Sequence, residues 1–124
     1  MNSLFLVMTG GALGAGARHL TGRATLALLG PGYPWGTLTV NLIGGLLMGL
    51  LVGVLARVAA GEPWRLFLGV GVLGGFTTFS SFSLDAVTMV QRGQAAVALG
   101  YVLLSVVGAI LALAAGMSLA RVPA

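Results

Sequence analysis

Apolar residues fall along this chain in four long blocks, divided by short gaps that hold prolines and several of the charged residues. The first block starts near Asn2 and reaches Arg18 after about 15 residues, which as helix rise only about 23 Å. The hydrocarbon core of a bilayer is about 30 Å thick. The first helix must therefore continue through Arg18, His19 and Arg23 into Ala24–Leu29, and Gly30-Pro31-Gly32-Tyr33-Pro34 is the loop that ends it. The second block opens at Trp35, a ring suited to the membrane interface, and is closed by Arg57 and Ala60-Gly61-Glu62-Pro63. The third opens at Trp64 and Arg65, holds no charge from Leu66 to Leu84, and extends past Asp85 to about Val90. The fourth lies between Arg92 and Arg121. This pattern predicts an all-α membrane protein, a single transmembrane domain over residues 1–124 with helices at about 2–29, 35–56, 65–90 and 95–120. The uncharged start, ending in Gly14-Ala15-Gly16-Ala17, resembles a signal-peptide cleavage region. No basic segment precedes it, so a first membrane helix is the preferred reading.

Composition sharpens that picture. Charged residues make up 6% of the 124 residues, against roughly a quarter in a soluble domain, so lipid rather than water must solvate most of the surface. Cysteine is absent, which excludes disulfides, thiolate nucleophiles and Cys-ligated metals. The basic residues are single arginines spread along the chain, not a patch for nucleic acid. With the amino terminus on side one, that side holds Arg57, Arg65 and Arg121, and side two holds Arg18, Arg23 and Arg92. Three against three leaves no positive-inside bias, so opposed copies can pair as an antiparallel, dual-topology homodimer. Gly45, Gly49 and Gly53 recur at four-residue steps, as do Gly10 with Gly14 and Gly71 with Gly75, a spacing that lets helix backbones approach closely in lipid.

Polar side chains inside these blocks must face protein or water. Asn41 lies within the second block, and Thr37, Asn41 and Gly45 share one helical face. The third block carries Gly74-Gly75-Phe76-Thr77-Thr78-Phe79-Ser80-Ser81-Phe82-Ser83. Adjacent glycines followed by a run of hydroxyls fit an unbroken helix poorly, so the third helix is expected to break near its middle. Its freed backbone groups must then bind ions, water or another chain. Phe79 and Phe82 lie a turn apart beyond the break, and their positive ring edges can attract an anion. Arg18 is too deep for an end anchor and fits a water-filled vestibule. Tyr101 and Ser105, four apart, extend a polar face on the fourth helix. Asp85 reads as a helix-end or vestibule charge rather than a proton carrier.

Three segments carry a family resemblance: Gly10-Gly11-Ala12-Leu13-Gly14-Ala15-Gly16-Ala17-Arg18, Gly36-Thr37-Leu38-Thr39-Val40-Asn41-Leu42-Ile43-Gly44, and the Gly74–Ser83 run. In order and spacing they resemble the microbial fluoride channels of the Fluc or CrcB family. That resemblance implies a dual-topology homodimer of four-helix subunits in the cell (inner) membrane, with two fluoride pores and a central structural sodium ion. It implies that Phe79 and Phe82 line the pores and that Asn41 donates to fluoride. Ser80, Ser81 and Tyr101 would continue the polar track, with Thr37 and Ser105 nearby and Arg18 in the vestibule. The sodium would bind the backbone carbonyls of Gly74 and Thr77. The family usually reads Phe-Ser-Thr-Phe-Ser followed shortly by Glu, whereas this chain has Ser81 and Asp85.

The implied activity is passive export of fluoride. Neutral hydroxyls, an asparagine amide and ring edges can replace the ion's water without a fixed charge that holds it. A small multidrug-type exporter is the alternative; it needs a buried acid within the spans to exchange protons for a cation. A non-transporting helical assembly predicts no polar lining. One histidine and two acidic residues leave little for an enzyme's catalytic constellation.

Overall fold

The computed structural model describes residues 2–58 and 61–121, and every regular element among them is helical. Helix α1 spans Asn2–Leu29, α2 Trp35–Arg57, α3 Glu62–Gln91 and α4 Ala95–Arg121. Among the described residues α2, α3 and α4 are long and apolar enough to cross a membrane. The 28 residues of α1 rise about 42 Å, but Arg18, His19 and Arg23 interrupt its apolar surface. Large apolar side chains such as Leu20, Leu28, Ile110 and Leu111 point outward, as lipid-solvated helices require.

Turn chemistry sets where the helices stop. Gly30 takes a positive φ of 81° directly after α1, a conformation that costs glycine nothing. After α3, the Gly93 N–H donates to the Val90 carbonyl at 3.0 Å and the Gln94 N–H to the Met89 carbonyl at 2.9 Å. With Gly93 at φ 80°, these crossed bonds form a Schellman cap.

Glycines set how the helices pair. A Cβ on Gly45 would lie 2.8 Å from the Ala109 carbonyl oxygen, one on Gly49 would strike the Leu113 carbonyl, and one on Gly53 would lie 2.5 Å from the Ala120 Cβ. The positions advance together, so α2 and α4 run parallel. Arg57 closes the far end of the pair, its Nη1 donating to the Ala120 carbonyl at 2.7 Å. Similarly, a Cβ on Gly10 would lie 2.9 Å from Val72 N and one on Gly14 2.8 Å from Phe76 N, so α1 and the first half of α3 run parallel. Short loops between successive helices then give an up-down-up-down order.

Helix α3 is not uniform. Glu62–Trp64 form one α-turn, Arg65–Leu73 are π-helical, and Gly74–Phe76 return to α. Regular structure lapses at residues 77–79, with Thr77 extended at φ −84°, ψ 159°, and Ser80–Gln91 resume the α-helix. The π-helical stretch has no counterpart in the sequence reading, which predicted an ordinary helix up to the break. Its wide turns close where Gly69 and Gly71 lack side chains, and the Gly74 N–H is shared between their carbonyls.

Candidate functional site

The lapse in α3 frees backbone groups in an apolar setting, and side chains from two other helices meet them. The Asn41 Nδ2 donates to the Thr78 carbonyl at 3.0 Å, and the Thr78 N–H donates to Asn41 Oδ1 at 2.9 Å. One amide side chain thus satisfies both polar groups of one residue, as a neighbouring strand would. From α1, Arg18 Nε donates to the Gly75 carbonyl at 3.1 Å. The Ser81 N–H donates to Thr78 Oγ1 at 3.1 Å, so the Thr78 hydroxyl caps the restarted helix.

These redirected bonds identify which carbonyls go without their usual donors. In an uninterrupted helix the Thr78 N–H would serve the Gly74 carbonyl and the Ser81 N–H the Thr77 carbonyl. Here Asn41 and the Thr78 hydroxyl take those two N–H groups. Gly74 is exposed, and a Cβ there would meet only the Gly69 carbonyl, at 3.7 Å.

Two hollows flank the lapse. The first, about 480 Å³, is lined by Arg18, Arg23, Thr37, Thr78, Ser81 and Asp85, among others. Arginines outnumber its single acid, so it attracts anions. Tyr33 lines its mouth, and burial pushes its phenol above the ordinary value, keeping it a neutral hydrogen-bonding group. The second, about 400 Å³, is lined by Asn41, Thr77, Thr78, Phe79, Phe82 and Ser105, with apolar residues of α4. Asn41 spends one of its two amide hydrogens on Thr78, leaving the other for this hollow. Ser105 lines this hollow, and its buried Oγ has no hydrogen-bond partner among the described residues.

Thr78 alone is common to the two hollows. In the sequence Thr78 is one hydroxyl within the Gly74–Ser83 run, with nothing in its spacing to assign it a role. The available signal was local: a threonine directly before a helix restart is a favoured cap.

The aromatic residues form a chain. The Phe79 and Phe82 centroids are 5.5 Å apart and tilted by 49°, Phe82 and Tyr101 are 5.3 Å apart, and Tyr101 meets Tyr33 edge to face at 5.6 Å. Phe82 is 7% exposed and Phe79 76%.

Not every expected residue reaches a hollow. Ser80 is exposed and lines neither; its Oγ lies 3.4 Å from Thr78 Oγ1. Tyr101 is fully buried behind Phe82, and its hydroxyl donates to Asp85 Oδ2 at 3.1 Å. Tyr101 therefore orients the carboxylate at the first hollow rather than presenting itself there. Thr37, Ser81 and Arg18 gather at the first hollow, and Asn41, Phe79, Phe82 and Ser105 at the second.

Comparison with known proteins agrees along nearly the whole chain. Residues 5–117 match the family described as CrcB-like protein, Camphor Resistance (CrcB). A protein of Sphingopyxis alaskensis named fluoride-specific ion channel FluC is 63% identical over 122 residues, covering 98% of this chain and 97% of that one. Proteins of the same name from Mesorhizobium japonicum and Caulobacter vibrioides are each 52% identical, over 121 and 123 residues. They cover 98% of this chain and 98% and 97% of their own.

Proposed function

This chain belongs to the CrcB-like family, and from that membership we propose that it is a fluoride-specific ion channel, a multi-pass membrane protein that lets fluoride leave the cell passively. It is not an enzyme. The observation that carries the reading is the pair of hollows that share Thr78, one with Arg18 and Arg23 in its wall and the next with neutral donors and phenylalanines.

The chemistry suits a small, strongly hydrated anion. Arg18 and Arg23 raise its concentration in the first hollow. Thr78, Asn41 and Ser105 then offer compact donors, and the Phe79 and Phe82 ring edges supply weak positive potential without a charge to trap the ion. Ser80, Ser81, Thr37 and Tyr101 support the same path from its margins.

The assembly belongs to the same proposal: four spans per subunit, with the third interrupted at residues 77–79, and two subunits inserted in opposite senses. The Arg18 bond to Gly75 removes that arginine from the loop charges, leaving Arg57, Arg65 and Arg121 against Arg23 and Arg92. Three against two is still a weak orienting bias. The open side of the second hollow and the exposed Phe79 are surfaces for a second copy to cover. Sodium would be held by the Gly74 and Thr77 carbonyls of both subunits. The diverted N–H groups leave these neutral oxygens fit for a hard cation, which when bound would tie the two interrupted helices together.

The multidrug-exporter alternative needs an acid that attracts cations within a binding cavity. Asp85 shares its hollow with Arg18 and Arg23 and accepts the Tyr101 hydrogen bond, which opposes that role. Purified protein in liposomes is expected to release trapped fluoride and retain chloride; equal rates for the two ions would reject the selectivity.

A further inference from the structure

Arg18 does something at the interrupted helix that a vestibule charge alone does not require. Helix α1 rests directly on the turn before the lapse: a Cβ on Gly75 would lie 2.6 Å from the Gly11 carbonyl oxygen and 3.2 Å from Ala15 N. Gly11, Ala15 and Arg18 lie on one face of α1. The close approach at Gly11 and Ala15 brings the Gly75 carbonyl within reach of Arg18, whose donor is Nε, the nitrogen nearest the backbone. Bonding through Nε fixes the plane of the guanidinium and leaves both terminal nitrogens turned to the hollow that Arg18 lines.

On the other side, Asn41 holds Thr78, three residues further on, through paired bonds. Two helices thus grip the chain just before the lapse and within it, α1 at Gly75 and α2 at Thr78. Between these grips lie Phe76 and the extended Thr77, and just beyond them stand Phe79 and the capped Ser81.

We infer that Arg18 and Asn41 form a two-sided clamp that fixes the path of the backbone through the interruption, and that Arg18 acts as a positioning residue through the shape of its guanidinium, not only through its charge. The inference rests on the channel reading. It predicts that positive charge without the fork does not suffice. A lysine is a flexible point charge with no donor at the Nε position, so it keeps the vestibule potential and loses the clamp.

The test compares Arg18→Lys with Arg18→Gln, using fluoride efflux from liposomes and amide hydrogen exchange over residues 76–83 of the same preparations. Both variants are expected to lose fluoride flux to a similar extent, about a hundredfold, because a backbone displaced by an ångström misplaces several donors at once. Exchange over residues 76–83 is expected to accelerate in both, while the α2–α4 core stays protected. Wild-type flux in Arg18→Lys beside a loss in Arg18→Gln would reduce Arg18 to a charge and overturn the clamp. Unchanged exchange in both variants would overturn it equally. If the wild-type protein passes no fluoride, the channel reading fails, and the exchange comparison still decides for or against the clamp.

Discussion

The α2–α4 seam and the interruption in α3 are both built on glycine, yet they treat the backbone in opposite ways. Along α2–α4, Gly45, Gly49, Gly53 and Gly116 let two helices touch while both main chains stay regularly helical. Just past Gly74-Gly75, at residues 77–79, the helix itself gives way, and carbonyls and N–H groups there and in the preceding turn are handed to Arg18, Asn41 and the Thr78 hydroxyl. Absence of a side chain serves close packing in both regions, and in the second the chain just beyond it also yields its polar groups to neighbours. What separates them is whether polar partners wait on the neighbouring helices.

Substitutions can break or sharpen this contrast. The largest effect is expected at the seam. In Gly49→Val, even the first side-chain carbon strikes the Leu113 carbonyl and comes within 2.9 Å of Met117 N. Overpacking of this kind costs about 3 kcal/mol or more, so the variant should fail to accumulate as folded protein, read by gel filtration in detergent. Asn41→Asp comes next and separates function from packing. The carboxylate still accepts from the Thr78 N–H, but it cannot donate to the Thr78 carbonyl, and it repels anions from the second hollow. Fluoride flux should be lost while the elution profile stays unchanged; retained flux would remove Asn41 from the path.

A smaller effect is expected for Phe82→Ile, which keeps an apolar side chain and removes the ring edge beside Phe79 and Tyr101. Flux should fall about tenfold, the equivalent of roughly 1.4 kcal/mol in the barrier, and wild-type rates would eliminate the ring edge as a contributor. Gly100→Ala should change least. Nothing lies within 4 Å of a Cβ there, and alanine favours helix over glycine by about 1 kcal/mol. Equal flux with slightly higher thermal stability is the expected result. A harmful Gly100→Ala would show that glycines outside the seam also carry packing.

Some of this was legible from the residues because the determining interactions are local. Gly30-Pro31-Gly32 ends α1 at Leu29, and Arg92-Gly93 separates α3 from α4, by turn chemistry that needs no distant partner. The pairing glycines were readable from spacing, and each set meets a helix backbone as expected. The donor set around Thr78 was only half readable. Asn41 stood out as polar within an apolar block, but its partner lies 37 residues away, and no spacing rule reveals that a side-chain amide will pair with a peptide. The sequence also put Ser80 and Tyr101 on the polar track itself. One is turned outward, and the other is sealed behind Phe82 by aromatic packing that depends on where α4 settles. The π-helical Arg65–Leu73 left no mark in the pattern, since a turn widened by contact with α1 is a tertiary outcome.

The single residue shared by the two hollows has a geometric consequence. On the proposed route an ion moving from one hollow to the next passes Thr78, whose peptide N–H and carbonyl Asn41 already holds, so the threonine hydroxyl is the group left to meet it.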